Sequence, residues 1–185
     1  MAAASPKART KAGKTGTVGI GDPIEFLFAQ HDRQLVICAA LERLAAAPYG
    51  AEAAESAQLI LDYAEYEMPL HLADEEYDLF PRLTARCDPE DGLEAIVDML
   101  EHEHEADSAL YRRLESGLRA IAKGEAPDHR DLFARDAHAF AMLQRRHLNW
   151  ENGTVLPLAR QKLSGEDLEG MKHAMAARRQ GAGID

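Results

Sequence analysis

Cysteine is nearly absent from this chain of 185 residues, with only Cys38 and Cys87. Two thiols do not make a disulfide framework, and nothing else points to an oxidising compartment. Aromatic residues are 6% of the chain and β-branched residues are sparse, which leaves helix as the default expectation. No apolar run approaches the ~18 residues of a membrane span, and the N-terminus lacks the hydrophobic stretch of a signal peptide. Basic charge is short as well. Four of the 21 bases (Lys7, Arg9, Lys11, Lys14) fall in the first twenty residues, which hold no acid, so the rest of the chain sets seventeen bases against all 32 acids. A body that acidic is a poor match for nucleic-acid phosphates. These absences predict an acidic, cytoplasmic, mostly helical protein with no nucleic-acid or membrane partner.

What remains is helical periodicity. Residues 1–21 are small, basic and rich in Gly and Thr, and are expected to form a disordered tail. Gly13-Lys14-Thr15 imitates the end of a phosphate loop, but the glycine required five residues earlier is Ala8 and no strand precedes it. Asp22 followed by Pro23 is a cap and a first helical residue. The inner stripe that follows reads Ile24, Leu27, Phe28, His31, Leu35, Cys38 and Leu41. Three more long helices are expected over 51–86, 90–123 and 128–163, with Pro69 kinking or interrupting the first of these. The fold class is therefore all-α. The expected architecture is an up-down-up-down four-helix bundle over 22–163, with a short C-terminal helix and tail over 164–185.

Ligand sites in such bundles are built from side chains on facing helices, so the informative residues are polar ones on apolar stripes. His71 and Glu75 lie one turn apart on the second helix, and His147 and Glu151 repeat the spacing on the fourth. The two segments align without a gap: His-Leu, Glu four residues on, two apolar residues, then Pro81 or Pro157 ten after the histidine. Each is preceded by a helix with an inward histidine, His31 before the first and His104 before the second. His102 competes with His104, but only His104 continues the stripe of Leu93, Val97, Leu100, Tyr111, Leu114 and Leu118; a π turn there would rotate the face.

Buried carboxylates are expensive unless paired or coordinated, and a metal supplies the reason for four histidines and two glutamates in one core. Imidazole with carboxylate and no thiolate suits iron, manganese or zinc. Six side chains exceed a closed zinc site. Two glutamates bridging two six-coordinate irons, four histidines and an oxo or hydroxo bridge leave about two positions for water or a small ligand. Cys38 is expected to be a buried structural thiol, Tyr63 and Trp150 core residues, and His129, His138 and His173 surface residues. Glu76 is expected to point away from Glu75, toward solvent or a ligand's outer edge.

These residues resemble the hemerythrin-like family of HHE cation-binding domains. The matching pieces are the segment from Asp22 to His31, the block from His71 through Glu75 and Glu76 to Pro81, Glu103-His104, and His147 with Glu151-Asn152. The resemblance implies a non-haem di-iron centre with His31, His71, His104 and His147 as terminal ligands and Glu75 and Glu151 as bridges. Oxygen-carrying hemerythrins have a fifth histidine on the third helix, where this chain has Leu100 and Ser108 four residues either side of His104. The set of four His and two Glu is similar to the di-iron domain of proteins that repair nitric-oxide-damaged iron centres. The expected function is capture or sensing of dioxygen, nitric oxide or peroxide, in oxidative or nitrosative stress protection. The alternative is an iron-handling or iron-responsive interaction module without redox turnover.

Overall fold

The computed structural model describes residues 19–46 and 49–182. The stretch expected as a basic tail lies outside the described residues as far as residue 18, but Ile20, within the same stretch, is buried in the core. Helix α1 (Pro23–Ala46) opens where the Asp22 carboxylate accepts from the backbone N–H groups of Ile24 (2.8 Å) and Glu25 (3.2 Å). Helix α2 runs over residues 51–84 without a break. Its α-helical pieces are joined by two π turns, Tyr63–Glu67 and Glu75–Leu79. A short 3₁₀ turn, Pro89–Asp91, and left-handed Gly92 (φ 67°) precede α3 (Leu93–Ala122), which moves its start three residues past the expected 90. Helix α4 spans residues 130–162 and carries a π turn at Glu151–Val155. Ser164 and Asp167 form a reciprocal cap for α5 (Gly165–Gly181).

The π turns explain how prolines sit inside helices. A helical proline crowds the carbonyl four residues earlier and cannot donate to it. For Pro69, Pro81 and Pro157 that residue is Glu65, Tyr77 and Gly153, the middle of a π turn each time. The widened turn makes room for the ring, so α2 continues through Pro69 rather than stopping there.

Helix α1 packs against α2 and α4, and α3 against the same two, which closes a helical bundle. Two apolar clusters fill its ends. One gathers Ile24 and Leu27 of α1, Leu79 and Leu83 of α2, Leu93 and Leu100 of α3, Val155 and Ala159 of α4, and Met171 and Met175 of α5. The other gathers Leu41 and Leu44, Ile60 and Met68, Leu118 and Ile121, Phe133 and Phe140. Helix α5 is thus part of the core; each fully buried methionine contributes about 1.5–3 kcal/mol. Between the clusters lies a belt of buried polar residues.

Candidate metal centre

The belt is set by a simple register. The buried positions of α1 alternate three and four apart (Ile24, Leu27, His31, Gln34, Cys38, Leu41), so Gln34 takes the inner place expected for Leu35, which is 37% exposed. His31, His71, Glu75, His104, His147 and Glu151 are all buried, with both glutamates fully enclosed. They fall into two groups of four whose ligand atoms lie within 4.8 Å of one another: His31, His71, Glu75 and Glu151, and Glu75, His104, His147 and Glu151. The glutamates belong to both.

Each glutamate divides its two oxygens. Glu75 Oε1 lies 3.3 Å from His71 Nε2 and 3.5 Å from His31 Nε2, while its Oε2 lies 3.5 Å from His104 Nε2. Glu151 Oε1 lies 3.2 Å from His147 Nε2, and its Oε2 lies 3.3 Å from His31 Nε2. All four carboxylate oxygens, and the Nε2 atoms of His31 and His71, are buried without a hydrogen-bond partner.

The outer nitrogens of the same four rings are all engaged. His31 Nδ1 donates to Asn152 Oδ1 (2.6 Å), and His71 Nδ1 to Gln30 Oε1 (3.2 Å). His104 Nδ1 donates to Glu76 Oε1 (2.8 Å), and His147 Nδ1 to Glu103 Oε2 (3.2 Å), with Arg146 holding the other oxygen of Glu103. A proton on each Nδ1 leaves the Nε2 lone pair aimed inward, the tautomer a metal requires. The Nε2 atoms of His104 and His147 then face each other at 3.2 Å, lone pair to lone pair, which a cation between them relieves. Orphaned carboxylate oxygens and converging lone pairs fit a metal, and imidazole with carboxylate is a donor set of iron, manganese and zinc.

Electrostatics agree. Burial, then the adjacent Glu151 charge, pushes the Glu75 carboxyl well up. Burial works in the same sense on Glu151, but the adjacent His147 overcomes it and holds that carboxyl low. Burial also holds His71 and His104 below the ordinary histidine range.

A family model described as the hemerythrin HHE cation-binding domain matches residues 22–159. The chain belongs to the hemerythrin HHE family. A protein of Haemophilus influenzae (strain ATCC 51907 / DSM 11121 / KW20 / Rd), described as an uncharacterized protein, is 29% identical over 164 residues, 86% of this chain and 91% of its own length. The HHE match takes in all six site residues and stops short of α5. Where oxygen-carrying hemerythrins place a fifth histidine, this HHE domain has Leu100 fully buried in apolar packing and Ser108 half-buried.

The remaining histidines sit where expected. His102 is exposed and its Nδ1 donates to the backbone oxygen of Asp98 (2.6 Å); α3 has no π turn to rotate it inward. His129, His138 and His173 are exposed. Trp150, expected in the core, is instead 41% exposed, because it precedes Glu151 on the outer side of α4. Cys38 is fully buried and its thiol is pushed up to about 12 by burial, so it stays protonated. No helix among the described residues is long and apolar enough to cross a membrane.

Sequence reasoning missed a second polar layer. Gln34, Asp107 and Gln144 are each buried and each three residues from a histidine of the site, on α1, α3 and α4. Gln144 Nε2 donates to Asp107, whose Oδ1 has no partner. Burial pushes the Asp107 carboxyl up to about 7, against the opposing pull of His147 and Gln144. An unfolded aspartate titrates near ~3.9, so the folded chain holds this proton more tightly, and the group's contribution to stability falls as pH rises through about 7. Asp107→Asn removes that dependence. In urea unfolding of metal-free protein, the variant should gain on wild type by on the order of 2–3 kcal/mol between pH 5 and pH 8. A constant difference at the two pH values overturns the assignment.

Proposed function

We propose that this chain is a non-haem di-iron protein that captures or senses a small diatomic or peroxidic ligand. His31, His71, His104 and His147 serve as terminal ligands, and Glu75 and Glu151 as bridges. The observation that carries this reading is the division of each glutamate's oxygens between two histidine groups, an arrangement with no use at a single ion. Helices of alternating direction, up-down-up-down, bring the four histidines to one level between two apolar clusters. A bound iron pair supplies redox-active positions that six protein donors leave partly open.

The chain's own part is orientation and exclusion of water. Gln30, Glu76, Glu103 and Asn152 lock the ring orientations, and the apolar ends close the site above and below. A fifth histidine would fill one more position; Leu100 leaves it free for a ligand, in keeping with capture and chemistry rather than simple reversible oxygen carriage. The two free cysteines suit a reducing compartment, and we place the protein in the cytoplasm.

Anaerobic metal analysis should find about two irons per chain, with spectra that change under air, nitric oxide or peroxide. His104→Ala should lose iron and His102→Ala retain it; the reverse pattern overturns the assignment on α3. One tightly held ion with no electronic coupling overturns the dinuclear reading. Iron that leaves under mild chelation, with no response to the three ligands, favours an iron-handling module instead.

A further inference from the structure

The two helical hairpins repeat each other around the site but differ on their outer surfaces. In the aligned segments Asp74 corresponds to Trp150 and Asp78 to Thr154. Asp74 and Asp78 are buried at 0% and 3% exposure, whereas Trp150 faces solvent. A carboxylate withdrawn from water costs several kcal/mol unless it is paired. Both aspartates are paired, and the main partners come from α5. Arg178 Nε donates to Asp74 Oδ1 at 2.9 Å and its Nη2 donates to Asp78; Arg179 Nη2 donates to Asp74 Oδ2 at 2.6 Å. The Arg179 guanidinium also lies 4.6 Å from the centre of the Phe26 ring on α1. Both arginines lie beyond residue 159, where the family match ends.

Asp74 immediately precedes Glu75, and Asp78 lies inside the π turn Glu75–Leu79. One turn of backbone is therefore held from outside by the arginines of α5 and carries Glu75 on its inside. π turns are rare and less favourable than continued α-helix. A cation on Glu75 and the arginines on Asp74 and Asp78 require the same turn to be ordered, so whichever binds first leaves the second a turn already set. Two partners that share one ordering cost are positively coupled, and the coupling is reciprocal. The second hairpin has no such clamp, because Trp150 and Thr154 offer no charge.

We propose that α5 regulates metal retention: docking of Arg178 and Arg179 on Asp74 and Asp78 tightens the hold on the cation at Glu75, and loss of the cation loosens α5. This rests on Glu75 being a metal ligand. A loosened α5 uncovers Met171 and Met175, so metal occupancy is reported as exposure of an apolar helix face. Arg178 and Arg179 are positioning residues, acting on the metal through the turn.

The test compares iron-loaded wild type with the double variant Arg178→Ala, Arg179→Ala under excess ferrous chelator. The variant should release iron about tenfold faster at unchanged helix content, within the usual range of coupling between sites. Lysine at both positions keeps the charge but loses the fork geometry, and should fall between the two. The reciprocal arm uses wild type alone. Amide hydrogen exchange over residues 165–181 should speed up by about tenfold or more when iron is removed, and exchange over residues 133–141, in the distant apolar cluster, should change less. Wild-type release rates in the double variant, or α5 exchange that ignores the metal, overturn the clamp. If the double variant fails to fold, the wild-type exchange comparison decides alone. A wild type that holds no stoichiometric metal overturns the metal reading itself, and the clamp with it.

Discussion

Replacing either Glu75 or Glu151 by alanine should strip the protein of most of its metal, while Cys38→Ser leaves the content unchanged. The reason is the sharing of donors. Each glutamate belongs to both four-residue groups, so under the dinuclear reading we propose its loss removes a donor from two ions at once, where loss of a histidine removes one donor from one ion. Loss of an outer partner of a metal ligand already costs about 10–100-fold in affinity, and a shared direct ligand should cost more. We expect metal per folded chain to fall below about one fifth of wild type in both glutamate variants. Single histidine variants should retain an intermediate amount. Cys38 is a suitable control because it is buried on the same face of α1, seven residues from His31, and its protonated thiol is no metal ligand. Metal analysis at matched helix content reads the order. Equal content in the glutamate and cysteine variants would show that the bridges are misassigned.

The six residues behind that prediction were legible because of periodicity and repetition. A His-x3-Glu spacing fixes two side chains on one helix face whatever the tertiary structure does, and its recurrence with the same flanking Leu and Pro marked the two hairpins as equivalent. His104 was separable from His102 for the same reason, since α3 is a regular helix along its whole length. The outer partners were half visible. Gln30 and Glu103 each precede a histidine of the site and support the next histidine along the chain; Glu76 and Asn152 each follow a glutamate and reach to the opposite hairpin. That symmetry is a property of helices crossing at one level, and no single-helix pattern contains it. Gln34, Asp107 and Gln144 were illegible because a polar residue on an amphipathic helix is read as solvated, and only the neighbouring helices bury these three. The π turns were also missed, although Pro69, Pro81 and Pro157 sit at the places that need them.

Removing the metal should lower the melting temperature by about 8–16 °C while leaving most of the helix in place. In the two apolar clusters on either side of the site, the packing among α1, α2, α3 and α4 is made without it, so the bundle keeps its frame even where α5 loosens. What is left between them is a set of buried oxygens and nitrogens with no partner. Each such group costs about 1–3 kcal/mol, and protonation of Glu75 relieves only part of the sum. A cation that binds only the folded chain at a thousandfold excess over its dissociation constant adds about 4 kcal/mol, and each kcal/mol moves the midpoint of a domain of this size by about 2–4 °C. The effect depends on pH in a fixed sense. Burial holds His71 and His104 low, so their contribution to metal-free stability is present above the unfolded histidine value of ~6.5 and is lost as pH falls through it. Glu75, pushed up by burial, works in the opposite sense and weakens the metal-free fold as pH rises above ~4.3. A bound metal answers the Glu75 deficit at neutral pH, and in acid a proton on Glu75 competes with it. The difference between loaded and stripped protein should therefore be widest near pH 7.5 and narrow toward pH 5, read from thermal melts of both forms. Melting unchanged by iron removal at pH 7.5 would show that the orphaned groups of the belt cost the fold nothing, and that the six residues are not there for a metal.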